Sequence, residues 1–269
     1  MASYNGLSPL EALKTKKKVF KMVQITKIQF KSTDVDKNEP KTVEFSLNVS
    51  KGNKKPIPEF VWLISMQSSS HCFCRLNGLC PIADDCYGLD YELNPLFSDA
   101  TLSAREKDES AVDFLVSNPN GASFLANELI KRSNRARSDA TRLKFLRWNV
   151  TGDLKGLEHL QFVESVAIRL FEAIGTITVL YSHNKPVVLD FLANHQKNES
   201  KQCLRILGSG YMANANFDCF TTDSEALECS SNCTECFKTH GVALCYDMAL
   251  EGSVIKEEFR ESTKKDKTL

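Results

Sequence analysis

The chain has 269 residues, 42% of them hydrophobic and 25% charged, with 34 Lys and Arg against 34 Asp and Glu. That length suits one large domain or two small ones, and the composition is that of a globular protein, which sets aside disorder, collagen and coiled coil. A formal net charge of zero gives no long-range steering toward nucleic acid or anionic membrane, although local patches survive.

No stretch approaches the ~18 consecutive apolar residues of a membrane span. The N-terminal segment places its lysines after its weak apolar positions, the wrong order for a secretory signal. A reducing, cytoplasmic setting is therefore expected, and disulfides are not.

Residues 1–25 read as a peripheral basic arm, with a helix opening at Ser8 and Pro9 and running into Lys16, Lys17 and Lys18. Two alternating stretches, 25–31 and 42–49, are expected to form a β-hairpin across the polar residues 33–41. A turn at 51–55 precedes an apolar strand at 60–65 that runs straight into the first cysteines. Apolar residues at helical spacing predict helices over 111–118 and 122–135, split by Asn118-Pro119-Asn120-Gly121.

A regular alternation follows. It comprises a strand at 143–150, an amphipathic helix at 157–174 closed by Gly175, a strand at 176–181, a short helix at 187–193 and a strand at 202–207. A closing strand over 242–248 comes before a charged tail. Strand–helix–strand at this spacing implies right-handed crossovers and a parallel sheet. The expected class is α/β: a parallel sheet with crossover helices, flat or curled toward a partial barrel, with an N-terminal β-hairpin and two cysteine-rich metal loops. The single α/β domain covers 26–250, with cysteine loops at 71–88 and 219–237, and a flexible charged tail occupies 251–269.

Ten cysteines in a reduced protein need a reason. Eight of them fall in two windows, and clustered cysteines mark metal or redox chemistry more often than core packing. The first window holds Cys72, Cys74, Cys80 and Cys86, beside His71. It lacks the paired Cys-x2–4-Cys knuckles of structural zinc sites, and such uneven loops suit an iron–sulphur cluster. The second window holds Cys219, Cys229, Cys233 and Cys236, with His240 four residues on. Four thiolates there satisfy tetrahedral zinc or an iron–sulphur cluster equally well. Cys203 and Cys245 sit on predicted strands and read as small core residues.

Ligands of parallel α/β sheets collect beyond the carboxyl ends of the strands. The first cysteine window follows strand 60–65, the Thr151-Gly152-Asp153 turn follows strand 143–150, and the second window follows strand 202–207. All three are thus expected at one edge, with His183 beside them. No Ser/His/Asp set supports a hydrolase. The basic run Lys131-Arg132-Ser133-Asn134-Arg135-Ala136-Arg137, continuing through Arg142, Lys144 and Arg147, is a place where phosphate or a partner protein would dock, or else a solvated helix end.

Asn53-Lys54 before Pro58, a strand, a cysteine loop with Cys80-Pro81 and ending Cys86-Tyr87, the stretch Arg147-Trp148-Asn149-Val150-Thr151-Gly152-Asp153-Leu154, and a late Cys-x3-Cys-x2-Cys group together resemble the phage gene-product-88-like family. The resemblance runs through short motifs over roughly residues 50 to 250. Two spacings differ: those between Cys74, Cys80 and Cys86, and the Cys229–Cys233 interval. The family layout is itself similar to a shortened radical S-adenosylmethionine enzyme. That likeness implies Cys74, Cys80 and Cys86 as ligands of a [4Fe–4S] cluster, with Gly152 and Asp153 at a turn that contacts S-adenosylmethionine. It also implies an auxiliary centre on the late group and a host-cell cytoplasm as the setting. The alternative is a non-enzymatic, zinc-binding phage-type protein that binds nucleic acid or a host protein through 131–147.

Overall fold

The structure, a computed structural model, describes residues 25–34, 41–51, 60–80, 83, 86–93, 95, 98–208, 217–218 and 243–244. Strands β1 (Ile25–Asp34) and β2 (Lys41–Lys51) pair antiparallel from Ile25–Ser50 to Asp34–Lys41. The other strands of the main sheet are β3 (Val61–Leu63), β4 (Phe145–Trp148), β5 (Ile177–Ser182) and β6 (Leu204–Gly208). The six strands lie in sequence order, with β2–β3 antiparallel and β3–β4, β4–β5 and β5–β6 parallel.

The helices are α1 (Phe73–Leu76), α2 (Tyr87–Leu93), α3 (Ser98–Ser117), α4 (Gly121–Asn134), α5 (Leu157–Ile174) and α6 (Lys185–Asp190). Neighbouring parallel strands joined in sequence order by crossovers of one hand put every crossover helix on the same face.

Side-chain alternation along the strands separates the two faces. Trp62, Leu146, Trp148, Leu180, Leu204 and Ile206 join the helix residues in one large core. Val61, Val179, Tyr181 and Leu207 form a second cluster on the opposite face, with no helix residue among its described members. Arg147, in the same register row as Val179, holds its guanidinium 4.6 Å from the Tyr181 ring centroid.

Helix α5 reads from its sequence without ambiguity: Leu160, Val163, Val166, Ala167 and Leu170 recur at helical spacing and are all buried. Its end is set by Gly175 at φ +69°. Trp148 is fully buried and meets Phe162 of α5 edge-on at 6.1 Å, so its removal would leave a void costing about 3–5 kcal/mol. Between α3 and α4 the break at Gly121 is enforced sterically, because a Cβ there would lie 1.9 Å from the Leu115 carbonyl oxygen.

Four elements depart from expectation. Helix α3 begins at Ser98, not near 111. Its first half carries too few apolar residues to show a period, and it is held by tertiary contacts: Asp108 Oδ1 accepts from the Asn48 amide at 2.7 Å, and Arg105 donates to Ser65 Oγ. Two short helices, α1 and α2, fold where only a cysteine loop is expected. The predicted closing strand does not join the main sheet in its described part, since Ala243–Leu244 pairs parallel with Phe217–Asp218 as a separate two-stranded unit. No helix among the described residues is long and apolar enough to cross a membrane.

Candidate functional site

Beyond β3 and β4 the two chains stay paired. The Ile64 amide donates to Arg147 O, that of Val150 to Ile64 O, and that of Met66 to Thr151 O. This continuation carries Gln67 onto the Thr151-Gly152-Asp153 turn, where Thr151 Oγ1 donates to Gln67 O at 3.1 Å. Gly152 sits at φ +77°, and a Cβ there would lie 2.5 Å from Gln67 N. Glycine is required at this position on both counts.

Asp153 is the hub of the edge and is 1% exposed. Its Oδ1 accepts from Ser182 Oγ at 2.6 Å, the Leu154 amide at 2.7 Å and Asn149 Nδ2 at 3.3 Å; its Oδ2 accepts from the His183 amide at 2.6 Å. One carboxylate therefore ties the end of β4 to the end of β5. Asn149, at φ +57°, also donates from Nδ2 to Tyr181 O at 2.7 Å. A non-glycine residue held in that region is strained and persists only when its surroundings over-determine it.

The cysteine loop is clamped from the other side. Buried Glu92 of α2 accepts the Ser69 and Ser70 amides at 2.6 and 2.8 Å, one on each carboxylate oxygen. The Phe73 amide donates to Gln67 Oε1 at 3.0 Å. The loop then doubles back through Gly78 (φ +68°), so that the Leu79 and Cys80 amides both reach Cys74 O.

Cys72, Cys80 and Cys86 line one cavity of about 50 Å³ together with Asn149, Asp153 and His183. That is a few times the space one water needs. Cys74 is fully buried and not among the lining residues. Burial, followed by the charge of Asp153, pushes the Cys72 thiol up to about 12 and raises that of Cys74 further still. A cation bound by a thiol in such a place displaces its proton. Among the described residues, no three His, Cys, Asp or Glu side chains are gathered tightly enough for a single metal ion.

Gly152 and Asp153 thus stand at the same cavity as three of the four first-window cysteines. His71 is exposed and does not line it. Cys219, Cys229, Cys233 and Cys236, with His240 and Cys245, lie outside the described residues, as does the arm at 1–24. Cys203 is fully buried at the foot of β6, its thiol near the Glu199 and Ser200 carbonyls, in keeping with a core role. In the basic segment, Lys131 and Arg132 pair with Glu128, Arg142 and Lys144 pair with Asp139, and Arg147 is buried against Tyr181.

Sequence reasoning did not single out Gln67, Glu92 or the amide of Asn149. Gln67 and Glu92 carry no period or motif, and Asn149 stands in the 147–154 stretch with no role of its own assigned there; their roles come largely from long-range contacts. Comparison of the chain with protein-family models, with curated proteins and with solved structures returns no match.

Proposed function

We propose that the cavity at the carboxyl edge of the sheet holds an iron–sulphur cluster on Cys72, Cys80 and Cys86, and that the protein carries out redox or radical-type chemistry there. The supporting observation is that these three thiols line one cavity against Asp153 and His183. Thiolates are soft donors suited to such clusters. Three thiolates with an open fourth position also suit zinc, and metal analysis separates the two.

Cys74 differs from the other three. Fully buried and absent from the cavity lining, it belongs to the wall behind the site. The ligand set preferred here is therefore Cys72, Cys80 and Cys86 in place of Cys74, Cys80 and Cys86. When bound, a cluster of this kind takes up and releases single electrons. The chain's own residues perform the rest: Glu92 and Gln67 hold the loop, Asp153 joins the strand ends, and His183 offers a ring at the cavity wall 3.5 Å from Asp153 Oδ2. S-adenosylmethionine would need the cysteine loop to open, because pockets for ligands of its size measure roughly 300–1,000 Å³ against about 50 Å³ here. The oxygens of Asp153 are also already engaged by internal donors.

The test is anaerobic purification with iron, sulphide and zinc analysis, on the full-length chain and on Cys80→Ser. Brown protein absorbing near about 400 nm, with iron and sulphide lowered in Cys80→Ser, is the expected result. Colourless protein with stoichiometric zinc would favour a zinc-binding module, and binding of nucleic acid by residues 131–147 would then be the next question.

A further inference from the structure

We infer that Gln67 is the positioning residue that registers the cysteine loop on the Asp153 turn, with Glu109 and Lys155 setting the direction of its amide. Gln67 is 1% exposed. Its Oε1 accepts the Phe73 amide at 3.0 Å and the Asp153 amide at 3.4 Å, and its Nε2 donates to Glu109 Oε1 at 3.5 Å. Phe73 lies between Cys72 and Cys74, so a single oxygen bridges the two halves of the site. Two main-chain N–H groups can only donate, which makes the atom facing them the oxygen and turns the amino end toward Glu109.

Glu109 is held for that purpose. Lys155, two residues after Asp153, reaches Glu109 Oε1 at 2.9 Å and Asp113 Oδ2 at 2.6 Å, and His159 Nε2 lies 3.5 Å from Asp113 Oδ1. The order Asp113–Lys155–Glu109–Gln67 therefore runs from α3 to the turn and the loop. It leaves Gln67 one amide orientation that satisfies all its partners. The functional consequence of this register rests on the proposed cluster; the geometry does not.

The experiment is peptide-resolved alkylation of the full-length chain, as purified, with iodoacetamide. It follows buried Cys74, which the cluster does not use, against equally buried Cys203 as an internal control. Two variants are compared: Gln67→Met and Gln67→Glu. Gln67→Met removes the shared acceptor at nearly the same length. Gln67→Glu keeps the acceptor but sets a second carboxylate against Glu109 Oε1.

Local opening of the loop should speed alkylation of Cys74 about tenfold or more in Gln67→Met with Cys203 unchanged. Gln67→Glu should show an intermediate rise. A general loss of stability would raise Cys74 and Cys203 together. Parallel rises or an unchanged Cys74 rate would each overturn the assignment. If Gln67→Met fails to fold, Gln67→Glu still decides. Lack of iron in the parent protein would sink the cluster and leave this result standing.

Discussion

Replacing Asp153 by Asn is the most informative single change at the edge of the sheet. The amide oxygen can take over the side of the carboxylate that faces Ser182 Oγ, the Leu154 amide and Asn149 Nδ2, at 2.6, 2.7 and 3.3 Å. Its NH2 group must then face the His183 amide, which now donates to Oδ2 at 2.6 Å, and two donors confront each other. A hydrogen bond to a charged group contributes about 1.5–3 kcal/mol, and an orphaned buried donor costs about 1–3 kcal/mol. The two effects overlap, so a loss of about 2–4 kcal/mol is expected. Against a total stability of about 5–15 kcal/mol, that shift is large. Urea unfolding followed by the fluorescence of the buried Trp62 and Trp148 measures it directly. In Ser182→Ala the same substitution should cost less, since the two side chains share a bond and their effects do not add. A cost below about 0.5 kcal/mol, ordinary for a surface substitution, would refute the view that this carboxylate joins the strand ends.

Gly152→Ala combines a left-handed backbone with a Cβ 2.5 Å from Gln67 N; destabilisation of about 2–4 kcal/mol is expected, and full stability by thermal unfolding would contradict the packing. Asp108 is 4% exposed, and burial raises its carboxyl to about 6 in spite of the Asn48 amide and nearby Arg105. With the folded value above the unfolded one, the native state binds the extra proton between about pH 4 and 6, and stability falls as pH rises through that window. Asp108→Asn keeps an acceptor for Asn48 and removes the titration. Its stability relative to the parent should therefore climb by about 3 kcal/mol between pH 4 and pH 7, at 1.36 kcal/mol per unit; a pH-independent difference would remove the buried-carboxyl explanation. If the proposed cluster is bound, Cys74→Ser should retain most of its iron by metal analysis while Cys80→Ser and Cys86→Ser lose it, because Cys74 does not line the cavity.

How far the residues alone lead is clearest by comparing elements. Strands β4 to β6 and helix α5 announce themselves, since their apolar residues are dense and periodic and their breaks are Gly or Pro. The placing of Cys72, Cys80, Cys86, Gly152 and Asp153 at one edge follows from topology, which needs only strand order and direction. Helix α3 is different: Ser98 to Ser110 offers little hydrophobic period, and its helix is secured by Asp108 and Arg105 reaching β2 and the end of β3. Gln67, Asn149 and Glu92 escape for a related reason. A buried polar residue is defined by the partners that satisfy it, and most of these partners lie 22 to 86 residues away. The difference between Cys74 and its three neighbours is likewise invisible in spacing, because it depends on which thiols the doubled-back loop turns toward the cavity.

The central claim is that the first cysteine window binds a cluster without help from the second. Cys219, Cys229, Cys233 and Cys236 can all be changed to Ser in the full-length chain, the protein reconstituted anaerobically with iron and sulphide, and iron per chain measured alongside Mössbauer spectra. One iron–sulphur cluster per chain is expected, abolished by adding Cys80→Ser. Iron confined to the second window, with none remaining after the fourfold change in a folded protein, would contradict it.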